Sequence, residues 1–182
     1  NDLSRIVDEF SRFARMPEPD KKSEDIIQII NSAISLQETG LPEISFKKRI
    51  IDGPIMFELD TTMISQALIN LLKNAGESIE TRINKHESSN VFGQIEIIVE
   101  SKESFLKISI VDNGVGLPED RTRLFEPYVT TRESGTGLGL AIVKKIIEEH
   151  GGTFRLEDAS QVENSGIVGA AAIIELPIYT SK

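Results

Sequence analysis

GTGLGLAIVKKIIEEHGG, residues 135–152, combines a glycine-rich turn with a helix-like run that follows it at once. Such turns often bind phosphate, because the amides at the helix N-terminus point outward and no side chain blocks a close approach. Neither common phosphate loop matches. A dinucleotide fingerprint would need glycine where Leu140 stands, and a P-loop would need a Lys-Ser or Lys-Thr pair after the glycines. The stretch therefore predicts a phosphate site of another kind.

The length and composition of the chain are those of one globular domain. It has 182 residues, of which 39% are hydrophobic and 27% charged. The net charge of −9 argues against a general nucleic-acid or anionic-membrane surface. The absence of cysteine excludes disulfides, thiolate catalysis and cysteine-bearing zinc sites. No apolar run approaches the roughly 20 residues that a membrane helix needs, so we expect a cytoplasmic chain.

Hydrophobic periodicity predicts four helices and six strands. The predicted helices cover 2–15, 23–38, 61–84 and 138–149, and the predicted strands cover 43–50, 55–59, 94–101, 105–112, 153–158 and 168–177. Ser23 is the expected N-cap of the second helix, Asp60, Thr61 or Thr62 caps the third, and Gly151 ends the fourth. This order predicts an α/β sandwich with helices on one face of a largely antiparallel sheet. The long connection 113–137 suggests a functional loop or a lid.

Asn70 and Asn74 lie four positions apart in the third predicted helix, opposite its leucines. Residues at this spacing project from the same side of a helix. Solvated asparagines are the simplest interpretation, but two asparagines in a helix interior carry a propensity cost. A side-chain amide oxygen is also a suitable ligand for Mg²⁺, which commonly bridges to substrate phosphates. Both interpretations stay open at this point.

Asp112 opens the stretch DNGVGLP, residues 112–118, directly after a predicted strand. Asp-Asn-Gly is ordinary turn chemistry, so a simple turn is one interpretation. The other interpretation is a binding site, in which the carboxylate accepts a hydrogen bond from an amine and the glycines admit a flat ligand. In the next stretch, LFEPYVTTR at 124–132, Phe125 and Tyr128 are expected to anchor the loop, and Arg132 could reach phosphate.

Four stretches in this order resemble the N, G1, F and G2 boxes of sensor histidine kinases: NLLKNA, DNGVGLP, LFEPYVTT and GTGLGLAIVKKIIEEHGG. The resemblance covers about residues 21–178. The N-terminal IVDEFSRFARMPEP also resembles the end of the dimerisation hairpin in nitrogen-regulation kinases of the NtrY type. The resemblance implies an ATP-binding (GHKL) catalytic domain with the Bergerat fold, an α+β two-layer sandwich with a long ATP lid. It also implies a hairpin end at 1–16, a linker at 17–22 and the catalytic domain at 23–182.

The resemblance further implies which residues form an ATP and Mg²⁺ site. Asn74 is expected to hold Mg²⁺ bridging the ATP phosphates, with Asn70 lining the same pocket, and Asp112 to accept a hydrogen bond from the adenine amine. Gly114 and Gly116 are expected to make room for the base, and residues 117–135 to form the lid. The other expected nucleotide contacts are Leu117, Phe125, Thr130, Thr131, Arg132, Thr136, Gly137, Leu138 and Gly139. Among all of these, Asn70, Asn74 and Arg132 are expected to be catalytic.

The chain departs from the family pattern in several places. The phosphoacceptor box, a His-Glu pair followed by Arg-Asn-Pro-Leu, is absent, so this chain is expected to be a fragment that does not autophosphorylate alone. His150 stands in the family's HGG pattern and in line with apolar residues, which favours a structural role. Ala170 and Ala171 stand where the family often has threonines, so we expect two hydroxyls to be missing beside the adenine. Arg132 replaces the usual lysine, which keeps the charge but changes its geometry.

The resemblance implies transfer of the ATP γ-phosphate to a histidine on a separate helical domain, for relay to a response-regulator aspartate. The expected partners are that phosphoacceptor and dimerisation domain in cis or trans, a receiver domain and a second copy in the parent protein. Neither nucleic acid nor direct membrane contact is expected, although the parent can be anchored in the inner membrane.

Two alternatives stay open. A related ATPase, as in gyrases and heat-shock chaperones, would carry a glutamate one helical turn before the Mg²⁺ asparagine. Asn70 stands there and cannot abstract a proton at neutral pH. A nucleotide-sensing module without turnover is the other alternative.

Overall fold

The computed structural model describes residues 4, 7, 8, 11, 14–85, 92–127, 137–163 and 165–178. The helices are α1 (Ile26–Gly40), α2 (Thr61–Lys85) and α3 (Gly139–Glu149). The strands are β1 (Lys22–Asp25), β2 (Ile44–Ile50), β3 (Met56–Leu59), β4 (Gly93–Ser101), β5 (Phe105–Asp112), β6 (Thr153–Asp158) and β7 (Ala170–Pro177), with a 3₁₀ turn at Ala159–Gln161. Within these ranges, no helix is both long and apolar enough to span a bilayer. The described positions of the predicted first helix are helical up to residue 14.

Five strands form the main sheet in the order β2-β4-β5-β7-β6. β2 runs parallel to β4, and every other neighbouring pair is antiparallel. This confirms the predicted mixed, largely antiparallel sheet. The predicted strands on either side of the turn at 52–54 belong to different sheets, because β3 pairs with β1 in a separate two-stranded sheet.

The main hydrophobic core lies between one face of this sheet and the three helices. Alternate residues of a strand point to opposite faces, and the helix-facing set in β5 includes Leu106, Ile108 and Ile110. Ile30 of α1, Leu72 of α2 and Val143 of α3 are each at most 1% exposed. Burying one side chain of this size contributes about 1.5–3 kcal/mol, so this layer accounts for the two-layer arrangement.

The opposite face of the sheet carries a smaller apolar cluster, to which Ala159, Val162 and Ile167 of the segment after β6 contribute. The cluster consists of Ile98, Val111, Ala159, Val162, Ile167, Ala171 and Ile173. Ala171 is completely buried there, so its side chain does not point to the face that carries Asp112. The expectation of a missing hydroxyl beside the adenine is therefore wrong for Ala171. It stays a prediction for Ala170, which pairs with Asp112 on the helix-facing side.

Asp25 caps α1, and the prediction of Ser23 as the cap is wrong. Ser23 pairs with Glu58 in the two-stranded sheet, which extends to Asp25. The Oδ1 atom of Asp25 then accepts hydrogen bonds from the N–H groups of Ile27 (3.1 Å) and Ile55 (3.0 Å). The carboxylate thus satisfies a helix-end donor and also joins α1 to the start of β3.

Candidate functional site

Helix α2 carries a polar stripe at steps of four residues. Asp60 caps the helix, since its Oδ1 atom accepts a hydrogen bond from the N–H of Met63 at 3.0 Å. Asp60 was one of the three caps predicted for this helix. The face with Leu68, Leu72 and Ile79 is buried against the sheet. The polar stripe of α2 consists of Asn70, Asn74, Ser78 and Arg82, whose spacing places them along one side of the helix.

The start of α3 lies beside the polar stripe of α2. Leu138 is fully buried, and a Cβ built on Gly139 would lie 3.9 Å from Nδ2 of Asn74. The N-cap residue Leu138 makes no capping hydrogen bond with its own side chain. The first N–H groups of α3 therefore carry the positive end of the helix dipole toward the space next to Asn74. The structure thus brings the predicted residues Asn74, Leu138 and Gly139 together.

Asp112 is the last residue of β5 and is only 7% exposed. Its Oδ1 atom accepts a hydrogen bond from the N–H of Gly114 at 2.8 Å. The next residue, Asn113, fixes the same turn to the start of β4, with its side-chain amide donating to the carbonyl of Phe92 (2.9 Å) and accepting from the N–H of Gln94 (2.8 Å). The carboxylate is therefore held at the strand end by its own turn.

The turn after Asp112 packs directly on α2. A Cβ on Gly114 would lie 2.1 Å from Oγ of Ser78 and 2.6 Å from its carbonyl carbon, so only glycine fits. The N–H of Val115 donates to Oγ of Ser78 at 3.1 Å, and Nη1 of Arg82 donates to the carbonyl of Asn113. Gly116, at φ +79°, takes the left-handed conformation that other residues rarely adopt. Gly114 therefore has a packing role that needs no ligand.

Phe125 is packed on the body of the domain. Its ring meets that of Phe154 at 5.4 Å between centroids and 78° between planes, an edge-to-face arrangement. The ammonium of Lys144 lies 5.4 Å from the Phe125 centroid, within cation–π range. The predicted anchoring role is confirmed for Phe125. Tyr128, Thr130, Thr131, Arg132 and Thr136, which were also predicted to anchor or bind, lie outside the described residues.

His150 joins the end of α3 to the start of α2. It is buried, its Nε2 atom accepts from the N–H of Asp60 at 3.0 Å, and its Nδ1 atom lies 2.7 Å from the carbonyl of Ile146. These contacts require a neutral ring with the proton on Nδ1. Burial lowers the pKa of His150 below its ordinary value of 6.5. The structural role predicted for His150 is confirmed.

Asp60 also binds the segment that precedes β1. Its Oδ2 atom accepts from the N–H of Asp20 at 3.0 Å. Although burial raises the pKa of Asp60, the N–H donors of Met63, Asp20 and Thr62 outweigh it and hold the pKa below its ordinary value.

Protonation of His150 is expected to destabilise the fold. Because its folded pKa lies below 6.5, the unfolded chain binds more protons between the folded pKa and 6.5. The contribution of His150 to stability is thus complete above pH 6.5 and is lost as the pH falls through the folded pKa. The variant His150→Phe should lower the free energy of unfolding by about 1–3 kcal/mol at pH 7.5, and flatten its decline toward pH 5.

Urea unfolding at pH 7.5, 6.0 and 5.0 measures both effects. The matched control is His86→Phe, because His86 is the only other histidine of the chain. An unchanged pH slope in His150→Phe would contradict the assignment.

An open groove of about 570 Å³ lies elsewhere, between α1 and the β2–β3 connection. Its lining includes Gln28, Asn31, Ser32 and Pro54, which belong to a solvent-facing helix side and a turn. None of the predicted site residues is among the described residues that line it. The assignment of the site therefore rests on the convergence of α2, α3 and the Asp112 turn.

The site also contains two residues that sequence reasoning missed. Ser78 and Arg82 hold the Asp112 turn on α2. The signal was present in the four-residue spacing, which continues from Asn70 and Asn74 through both residues. It was not sufficient, because a polar residue on a helix is usually only solvated, and the contact partner is about 30 residues away in sequence.

The residues of this site fit a ligand that contains phosphate and a base with an amine. The amide oxygen of Asn74 is a hard ligand of the kind that Mg²⁺ accepts. The start of α3 offers amide donors for anions, and Gly139 leaves space between them and Asn74. The carboxylate of Asp112 stands at the other end of the same helix side, next to Ser78 through its turn.

Residues 59–180 match the family described as "Histidine kinase-, DNA gyrase B-, and HSP90-like ATPase". Nitrogen regulation protein NtrY of Azorhizobium caulinodans is 50% identical over 164 residues, which are 88% of this chain and 20% of that protein. The solved catalytic domain of histidine kinase ThkA is 31% identical with a TM-score of 0.68, over 87% of this chain and 95% of that one.

A structure of ThkA in complex with response regulator protein TrrA has a TM-score of 0.72 at 29% identity, over 96% of this chain and 47% of the ThkA chain. This chain spans about a fifth of the length of NtrY.

Proposed function

Because this chain belongs to the family of histidine kinase-, DNA gyrase B- and HSP90-like ATPases, we propose that it acts as the ATP-binding catalytic domain of a sensor histidine kinase. It would donate the γ-phosphate of ATP to a histidine on a separate helical domain. The observation that carries this proposal is the convergence of Asn74, the start of α3 and the Asp112 turn on one side of α2. Relatives named as sensor histidine kinases, among them ZraS of Escherichia coli at 31% identity, support it.

The two ends of ATP would be held by different elements. The carboxylate of Asp112 accepts a hydrogen bond from the adenine amine, and the N–H groups at Gly137, Leu138 and Gly139 meet the phosphates. Asn74 holds Mg²⁺, which supplies charge neutralisation to the phosphates when bound. Asn70 lines the same side of the helix. Leu117 and Gly116 border the base, and Phe125 fixes the root of the segment that leads to Thr130, Thr131, Arg132 and Thr136.

Catalysis by this domain would rest on positioning. The chain holds the γ-phosphate in line with an external imidazole, while amide dipoles and Arg132 stabilise the charge that develops on the transferred group. The attacking nucleophile belongs to the partner domain. Asn70 favours transfer over hydrolysis, because an amide cannot serve as the base that activates water.

The proposed context is that of an NtrY-type kinase. Residues 1–16 would be the end of a phosphoacceptor hairpin that dimerises in the parent protein, and 17–22 would link it to the catalytic domain at 23–182. The hydrogen bond from Asp20 to Asp60 supports a defined connection at this point. A receiver domain of a response regulator would be the next phosphate acceptor, as the ThkA–TrrA complex suggests by analogy.

A transfer assay tests this function directly. The chain is mixed with Mg-ATP labelled at the γ-phosphate and with a separately made phosphoacceptor hairpin. The expected product is acid-labile, base-stable phosphate on the hairpin. A hairpin whose acceptor histidine is changed to glutamine is the control and should stay unlabelled.

The same assay separates the alternatives. Rapid release of phosphate without the hairpin would favour an ATPase. Binding of ATP with neither release nor transfer to a cognate hairpin would favour a nucleotide-sensing module. Absence of ATP binding would contradict all three functions.

A further inference from the structure

We propose that Arg82 and Ser78 are specificity-determining positioning residues, which set the adenine-binding turn in register with the phosphate-binding residues. This inference rests on the proposed function, since it concerns how the same site selects its nucleotide. Neither residue would touch the nucleotide. Both would act through the turn that carries Asp112.

Arg82 holds the turn from the last part of α2. Its Nη1 atom donates to the backbone carbonyl of Asn113, the residue next to Asp112. A guanidinium is always charged, and its hydrogen bonds to oxygen are stronger than those of neutral donors. The contact therefore fixes the backbone directly after the carboxylate.

Ser78 holds the same Asp112 turn from a position four residues earlier in α2, closer to Asn74. Its hydroxyl accepts from the N–H of Val115, and its atoms fill the space in which any side chain on Gly114 would stand. Shape and hydrogen bonding thus agree at this contact. Gly114 is buried, and its N–H in turn donates to Oδ1 of Asp112, so the chain of contacts ends on the carboxylate itself.

The geometric consequence is a fixed spacing between the two ends of the site. Asn74, Ser78 and Arg82 lie on the same helix, in which each residue adds a fixed rise of about 1.5 Å. ATP must reach the phosphate-binding residues and the Asp112 carboxylate at the same time. If the Asp112 turn is not fixed on α2, the adenine amine cannot keep its hydrogen bond to Asp112 while the phosphates are bound. Selection of the base is then lost, whereas phosphate binding is retained.

The test compares ATP with purine riboside triphosphate, which lacks the exocyclic amine, by calorimetric titration with Mg²⁺. The original chain is expected to bind ATP about tenfold or more tightly than the analogue, as is typical of a hydrogen bond to a charged group. Arg82→Gln and Ser78→Ala should each reduce this ratio to about threefold or less. Affinity for the analogue should change by less than about twofold, and Arg82→Lys should recover part of the ratio.

Two matched controls lie on the same helix. Lys85→Gln removes the other basic residue of the last turn of α2 and so makes the same change in charge and helix-dipole interaction. Thr81→Ala removes a hydroxyl that donates along the helix, to the carbonyl of Glu77 at 2.8 Å. Both are expected to leave the ratio unchanged. The ratio does not depend on the folded fraction, because both nucleotides meet the same protein sample.

Any of the following results would overturn the inference. An original chain that binds neither nucleotide would overturn both this inference and the proposed function. Preserved ATP selection in Arg82→Gln and Ser78→Ala would overturn the inference and leave the proposed function intact. Equal losses for ATP and the analogue would show a merely structural role, and an equal effect of Lys85→Gln would show a general charge effect.

Discussion

Replacement of Asn74 by alanine is expected to abolish the tightening of ATP binding by Mg²⁺ and to lower phosphate transfer by about a hundredfold or more. Asn74 is the proposed Mg²⁺ ligand, and its side-chain amide lies next to the start of α3. Alanine cannot coordinate a metal. It is a better helix former than asparagine, so α2 is not expected to weaken. The loss would therefore be one of metal binding, with the fold retained.

Titration with ATP in the presence of Mg²⁺ and in the presence of a chelator measures this effect. Asn31→Ala is the matched control, because Asn31 is an exposed asparagine within α1, away from the site. It should keep both the Mg²⁺ response and transfer to the hairpin. A Mg²⁺ response in Asn74→Ala equal to that of the original chain would refute the ligand assignment.

Replacement of Asp112 by asparagine is expected to weaken ATP binding by about tenfold to a hundredfold and to blur the preference for ATP over GTP. The asparagine oxygen can keep the hydrogen bond from Gly114 that now goes to Oδ1 of Asp112. The amide nitrogen then replaces an acceptor by a donor. A donor repels the 6-amino group of adenine, whereas it suits the 6-oxo group of guanine.

Competition binding with ATP and GTP gives the two affinities on one sample. Asp52→Asn makes the same charge change at an exposed position in the β2–β3 connection and should leave both affinities unaltered. Equal binding of ATP and GTP by the original chain would remove the basis of the adenine assignment. So would an Asp112→Asn variant with unreduced ATP affinity.

Most elements of the fold could be predicted from the sequence because each has a strong local signal. The alternating residues of β4 and β5 predicted the hairpin that Ile97 and Ile110 now form across the sheet. The start of α1 could not be predicted in this way. Ser23 is a good local cap, but the pairing of β1 with the distant β3 takes it into a strand. Tertiary pairing outweighed local preference there.

The candidate site shows the same division. Asn74, Asp112 and Gly139 were found from spacing and from the order of the four boxes, although their binding roles stay predictions. The pleat decided that Ala171 points away from the Asp112 side. The roles of Ser78 and Arg82 could be recognised only from the structure, because both residues contact a turn that lies about 30 residues later in the chain.

The sequence by itself determined the long helices, six of the seven described strands, the family resemblance and the chemistry available to the site, since these depend on residue type and on short spacing. Only the tertiary structure decided which groups meet. It joined His150 to Asp60 across 90 residues and seated the Asp112 turn on α2. The physical reason is that hydrogen bonds and close packing between distant segments depend on positions in space, which local propensity does not encode. The stretch GTGLGLAIVKKIIEEHGG predicted a phosphate site, and the fold places the first turn of its helix beside Asn74.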